Sequence, residues 1–150
     1  MLSSIFHSSS LPVVEQVVNF TEARHGVLAG NIANMDTPGY KTRDLSPALF
    51  QKRLQEAIET RHQPPTPNYD FDPFATPPTY EAEKQETREI AAFRKVEDSM
   101  KSILRHDQGD VSVEEQVNEI VKNQQQHNLA IGIMSAQFRL LRAAITERVA

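Results

Sequence analysis

Residues 112–148, SVEEQVNEIVKNQQQHNLAIGIMSAQFRLLRAAITER, decide the fold. They contain no proline. Ser112 and Glu115 form an S-x-x-E capping box ahead of an apolar run. Val117, Ile120, Gln124, His127, Ile131, Met134, Phe138, Leu141 and Ile145 then recur at alternating steps of three and four. That is a heptad seam, polar only at Gln124 and His127. The spacing predicts one helix reaching Arg148, roughly 54 Å long. A helix of that length without proline needs a partner helix.

The partner is at the other end of the chain. Pro12 suits a helix first turn. Behind it Leu11, Val14, Val18, Thr21, His25, Leu28 and Ile32 follow the same rhythm. The helix should run to about Asn34. It must stop there, because Thr37 precedes Pro38 and is pushed out of helical space. Pro38 and Gly39 supply the fixed and the permissive φ of a type II turn.

Between the two lies different material. Ser46-Pro47 reads as an N-cap with proline at N1, opening a short helix over 47–61. Phe50, Leu54, Ala57 and Ile58 give it helical spacing. Residues 63–80 carry Pro64, Pro65, Pro67, Pro73, Pro77 and Pro78, which excludes a helix or a central strand. An extended connector is expected, with Tyr69, Phe71, Phe74 and Tyr80 as anchors. Residues 81–105 are charged, with Ile90, Phe93, Val96, Met100 and Ile103 at helical spacing; Gly109 follows.

Composition follows the same division. Of 37 Leu, Ile, Val and Phe, 15 lie in residues 1–50, 9 in 51–110 and 13 in 111–150. The middle also holds 21 of the 36 Asp, Glu, Lys and Arg, so it is the part least able to build a core. The expected fold is mainly α. Long terminal helices pair as a coiled coil, with a short helix, a Pro-rich connector and a charged helix between them. Residues 1–45 plus 106–150 form one domain and 46–105 a solvated middle.

Several function classes drop out. There is no cysteine, hence no disulfide, thiolate metal site or Cys nucleophile. No uncharged run reaches the roughly 18–20 residues of a membrane span. The start, Met1-Leu2-Ser3-Ser4-Ile5-Phe6-His7, lacks the basic and apolar regions of a cleavable secretory signal. The net charge of −4 and the absence of a basic block disfavour nucleic acid.

Two nine- to ten-residue patches carry no charge: Gly26 to Asn34, and Leu129 to Phe138. A helix with a wet face normally carries charge there. Either the patches face each other in an antiparallel hairpin, or neighbouring copies bury them. Gly26 and Gly30 would permit close backbone approach.

The stretch Asn31-Ile32-Ala33-Asn34-Met35-Asp36-Thr37-Pro38-Gly39-Tyr40-Lys41 resembles the signature of the flagellar rod, hook and hook-associated family. The short length resembles its proximal rod members. Asp107-Gln108-Gly109-Asp110-Val111-Ser112-Val113-Glu114 looks like the start of the last helix in one of them, and Phe138-Arg139-Leu140-Leu141-Arg142-Ala143-Ala144-Ile145 like its close. The sister rod protein carries an R-x-Y-x-A-N pattern that is missing here. The resemblance covers residues 10–45 and 105–146.

It implies a structural subunit of the basal body rod in the periplasm, with no catalysis and no cofactor. It implies partners: other copies, other proximal rod proteins, the ring–rod junction and the flagellar type III export apparatus. It also implies terminal helices that order only on assembly, which would keep exposed seams out of the free monomer. Asn31, Ile32, Asn34, Thr37, Pro38, Gly39 and Tyr40 would form the assembly and turn motif. Val14, Val18, Leu28, Val117, Ile120, Ile131, Met134, Phe138, Leu141 and Ile145 would form the seam.

Two other readings compete. Glu22/His25 and Glu59/His62 are E-x-x-H pairs, as in di-iron bundles. Glu59/His62 sits beside Pro64 at a helix end, a poor place for a buried site. His7, His106 and His127 lack ligand spacing. A soluble coiled-coil adaptor would also use paired seams, but as a discrete dimer.

Overall fold

The computed structural model describes residues 9–62, 79–100, 103–104 and 112–147. The elements are α1 (Leu11–Ala33), β1 (Arg43–Asp44), α2 (Pro47–His62), α3 (Thr79–Asp98), β2 (Ile103–Leu104) and α4 (Val113–Glu147). They divide into two compact units, one of Met1–Leu45 with Ser102–Ala150, the other of Ser46–Lys101.

In the first unit α1 packs along α4. Contacts running from Thr21–His127 through Arg24–Glu119 to Asn31–Gln116 rise along one helix and fall along the other, so the pair is antiparallel. The molecule is mainly helical, with its terminal helices packed together. Pro12 occupies the first turn of α1 without a side-chain cap from Ser10. Ser112 caps α4, its Oγ accepting from Glu114 N at 3.3 Å. The buried apolar side chains are few: Leu11, Phe20, Leu28, Leu45 and Ala130. Gln16, Thr21, Arg24, Asn31, Gln116 and Asn123 are buried among them.

In the second unit α2 packs on α3. Ser46 Oγ accepts from Leu49 N at 3.2 Å, the N-cap bond that its place before Pro47 predicts. Phe50 and Ala57 of α2 are buried, as are Val96 and Ser99. The helix predicted to reach 105 ends at Asp98. Ile103 lies instead in β2, antiparallel to β1, with Asp44 opposite Ile103 and Arg43 opposite Leu104. Apolar spacing over so short a run does not separate a last helical turn from a two-residue strand. Residues 63–78 of the Pro-rich connector, with Tyr69, Phe71 and Phe74, lie outside the described residues, as do His7, His106 and Gly109; Tyr80, expected in the connector, lies in α3, which begins at Thr79.

Candidate functional site

The end of α1 is organised by one side chain. Asn31 is buried and uses its whole hydrogen-bonding capacity. Its Nδ2 donates to Arg43 O at 2.7 Å and to Gln116 Oε1 at 3.2 Å. Its Oδ1 accepts from Arg43 N at 3.1 Å and from Tyr40 Oη at 3.2 Å. Helix, turn, strand and partner helix therefore meet at one amide. Asn34 Nδ2 donates to Gly30 O at 2.8 Å and closes the helix end.

The chain then reverses. Tyr40 N donates to Thr37 O at 3.1 Å, with Pro38 and Gly39 between them. Gly39 has φ +78°, so the turn is type II. No atom lies within 4 Å of where its Cβ would be, so only the backbone demands glycine there. Tyr40 is held by its hydroxyl and is 36% exposed.

Two turns earlier sits an ion network around buried Arg24. Arg24 donates Nε to Asp44 Oδ1 at 2.9 Å and Nη2 to Asp44 Oδ2 at 3.0 Å. The same Nη2 reaches Glu119 Oε2 at 2.8 Å. Glu119 also accepts from Lys122 Nζ at 2.9 Å. Asp44 above all, and Glu119 less, hold the guanidinium charged against the cost of its burial. Lys122 first, and Arg24 next, hold the Glu119 carboxyl below its ordinary range. The fork suits arginine, whose two parallel bonds lysine does not reproduce.

Farther along, the pairing face stays polar. Thr21 Oγ1 lies 2.9 Å from the carbonyl oxygens of Val17 and Val18 and 2.9 Å from His127 Nδ1. The hydroxyl has one proton, which goes to a carbonyl, so His127 donates from Nδ1–H. Asn123 Nδ2 donates to Thr21 O at 2.7 Å. Asn123 Oδ1 and Gln16 Oε1 are buried without a hydrogen-bond partner among the described residues. Gln137 Nε2 donates to Ser10 Oγ at the far end of the pair. A groove of about 380 Å³ runs beside these contacts, lined by Val18, Glu22 and His25 of α1 and by Gln124, His127 and Ile131 of α4.

The segment that builds this geometry is the segment shared with known proteins. The pattern of the family described as "Flagella basal body rod protein" matches residues 22–41, from beside Arg24 to just past Tyr40. The chain is 33% identical over 113 residues to the "Flagellar basal body rod protein FlgB" of Aquifex aeolicus, covering 73% of this chain and 70% of that one. The chain belongs to the FlgB family of flagellar basal body rod proteins. It is also similar to the FlgB proteins of Escherichia coli and Shigella flexneri, 40% identical over 48 residues in each case. Those matches span 32% of this chain and 35% of theirs. No solved structure matches the chain. The FlgB family is structural, and its place is the rod of the basal body.

With the family known, the seam residues acquire positions. Leu28 is buried; Val14, Val18, Ile32, Ile120, Met134 and Leu141 are half-buried. The other α4 seam positions face outward: Val117 is 46% exposed, Ile131 43%, Phe138 50% and Ile145 61%. The positions that meet α1 most closely are Gln116, Asn123 and Ala130, one residue earlier at each heptad. The seam inside the chain thus mixes polar with apolar side chains, and Ile131 of the apolar heptad stripe lines the groove beside it. Gly26 and Gly30 have no atom within 4 Å of a would-be Cβ, so no close backbone approach occurs at them within the chain.

The expectation about membrane spans needs one correction. α4 is long and apolar enough on average to cross a membrane. Arg139 and Arg142 interrupt the apolar run, and each is costly at the centre of a bilayer. Among the described residues no three His, Asp or Glu side chains come together as a metal site. Glu59 accepts from Gln55 Nε2 at 2.9 Å, and His62 Nδ1 contacts Ile58 O at 2.7 Å.

Arg24, Asp44, Glu119, Gln116 and Asn123 were not legible as a site. The signal was a buried-face cation at Arg24, one heptad after Val17 and one before Asn31, which apolar counting passes over.

Proposed function

We propose that the chain is a structural subunit of the proximal rod, exported by the flagellar type III apparatus. Its terminal helices join those of other copies and of the other proximal rod proteins, and reach the ring–rod junction. The first unit, with the paired terminal helices, belongs to the wall of the rod. Asn31 and the Thr37–Tyr40 turn set the angle at which α1 leaves that wall.

One observation carries the reading. α4 leaves Val117, Ile131, Phe138 and Ile145 exposed at heptad spacing while its contact with α1 is mostly polar. A lone helix pair gains little from such a seam; neighbours that cover the stripe supply the missing apolar burial.

The test is complementation. A bacterial strain lacking its own FlgB should regain swimming when given this chain, and purified basal bodies should contain it. Stable expression without rods, or rods without the chain, would sink the proposal.

A further inference from the structure

The bonds that join α1 to α4 hold one register from end to end. Asn31 meets Gln116, and Ser10 meets Gln137. From the first pair to the second, one partner falls by 21 residues and the other rises by 21, three heptads on each helix. Between them Thr21 lies opposite His127 and Asn123, and Arg24 opposite Glu119.

Apolar burial does not choose this register. Among the described residues of α4, ten side chains are buried or half-buried, and five of these are apolar: Ile120, Ala130, Met134, Ala136 and Leu141. Slide α4 by one heptad, so that each place is taken by the residue seven later. Five of the ten are again apolar: Ala130, Met134, Leu141, Ala143 and Ala144. Slide it the other way and the five are Val113, Ile120, Leu129, Ala130 and Met134. A pattern that repeats every seven residues cannot tell one heptad from the next. Nor does the link to β2 decide. Leu104 faces Arg43, and Arg43 and Gln116 share Asn31, so the ends of that link lie close together. Its eight residues, 105–112, reach up to about 28 Å, which leaves room for a shift of one heptad.

Polar groups do discriminate. In the two slipped pairings Arg24 would meet Gln126 or Ser112 in place of Glu119. Thr21 would meet Met134 or Ile120 in place of His127, and Ser10 an alanine in place of Gln137. This face is not built for stability alone. Asn123 Oδ1 and Gln16 Oε1 are buried on it without a hydrogen-bond partner among the described residues, a penalty that apolar side chains would avoid.

We infer that Arg24–Glu119, Thr21–His127 and Asn31–Gln116 form a register lock. These polar pairs select one of three heptad alignments that apolar burial leaves nearly equivalent. Buried polar groups are suited to that task because a slip strands them while an apolar face merely re-pairs. One heptad is about 10.5 Å of helix. The lock therefore sets the height of every α4 side chain, exposed Ile131, Phe138 and Ile145 included, relative to the Thr37–Tyr40 turn. It acts inside a single chain and does not rest on the rod reading.

The absence of cysteine allows two spin labels to be placed at chosen sites. Asn19→Cys on α1 and Arg142→Cys on α4 are exposed positions. In the register described they are 14 residues apart along the pair, about 21 Å of axial offset. Pulsed electron–electron resonance on the purified, labelled chain should give a single distance. Glu119→Gln/Gln126→Glu/His127→Met/Met134→His then moves two locking side chains by one heptad at unchanged composition, with Asn123 in line for the place opposite Asn31. It should shorten the axial offset by about 10 Å.

A second variant, Gln116→Leu/Glu119→Leu/Asn123→Leu/His127→Leu, removes the lock from α4. It should give two or more distances from alignments about 10 Å apart, with helix content retained by circular dichroism. If the exchanged chain loses its helices, the leucine variant decides alone. The wild-type distance kept in either folded variant would overturn the lock. So would loss of helix in both variants, or a wild-type chain whose distances are broad or two-peaked. Any of these failures leaves the rod role standing, because the measurement reads only the pairing within one chain.

Discussion

Arg24 grips Asp44 through two parallel bonds, Nε to Oδ1 at 2.9 Å and Nη2 to Oδ2 at 3.0 Å. The two residues are 20 positions apart, and the type II turn between them makes the contact possible. Arg24 is nearly inaccessible and Asp44 only slightly exposed. Taking Asp44 away leaves buried Arg24 with only the single bond to Glu119 among the described residues, and with little water. Asp44→Ala should lower stability by about 3 kcal/mol in urea unfolding. Arg24→Lys should not recover the loss of Arg24→Ala, because an ammonium does not span both carboxylate oxygens. A full rescue by lysine would show that the fork geometry is unimportant.

Asn31 should be among the least replaceable residues of the chain. Asn31→Ala strands Arg43 N and O, the Tyr40 hydroxyl and the Gln116 amide at once. At about 0.5–1 kcal/mol for each of four bonds lost, one buried and three part-buried, a loss of roughly 2–3 kcal/mol is expected. Asn31→Asp loses both donors and should be nearly as damaging, although it is the same size. A melting temperature within a degree or two of wild type for Asn31→Asp would contradict the bonding described.

Gly39 separates conformation from packing. With φ +78° and open space around its would-be Cβ, Gly39→Val should cost about 1–2 kcal/mol for the left-handed backbone alone. Gly39→Asn should cost much less, since Asn tolerates that region. Urea unfolding and swimming should both rank Gly above Asn and Asn above Val. Equal loss in Asn and Val would mean that a neighbour packs against the turn.

The Glu119 carboxyl sits below its ordinary value of 4.5, held there by Lys122 and Arg24. A folded-state value lower than the unfolded one contributes stability that is complete above the unfolded value and is lost as pH falls through the folded one. Unfolding midpoints should therefore drop as pH goes from about 5 downward. Glu119→Gln should be less stable at neutral pH and show a shallower acid loss. An identical acid profile in wild type and Glu119→Gln would refute the linkage.

Gly26 and Gly30 offer a test of what lies outside the chain. Nothing approaches either position within the molecule, so Gly30→Ala should stabilise α1 by roughly 0.5–1 kcal/mol. If the same change stops rod assembly in cells, the small residue is needed by a neighbour. Stabilised protein with normal swimming would show that no neighbour needs it.

Local chemistry made most of the elements readable. Pro12, Ser46-Pro47, Ser112 and Thr37-Pro38-Gly39 carry their own φ restrictions and caps, and helix ends fall within a residue or two of where they point. The register of the helix pair was another matter. Counting apolar residues assigns the pairing face to Val117, Ile131 and Phe138, yet the pairing face is built on Gln116, Asn123, Arg24 and Asn31. Hydrogen bonds between distant residues decide that face, and their partners are far apart in the chain. β2 was missed for the same reason: Ile103 and Leu104 become a strand only because Arg43 and Asp44 are there to pair with them.

The four bonds of Asn31 differ in reach. Those to Tyr40 and to both backbone groups of Arg43 span 9 to 12 residues, while the one to Gln116 spans 85. Closing the longer loop costs about 2 kcal/mol more in chain entropy. Three-quarters of the bonding at this amide can thus form while α4 is still elsewhere. The segment from Asn31 to Arg43 acts as a socket made early and locally, and docking of α4 fills its last contact. Arrival of the second helix is then a short final step onto a prepared seat, and the order of events is written into the sequence separations of one side chain's partners.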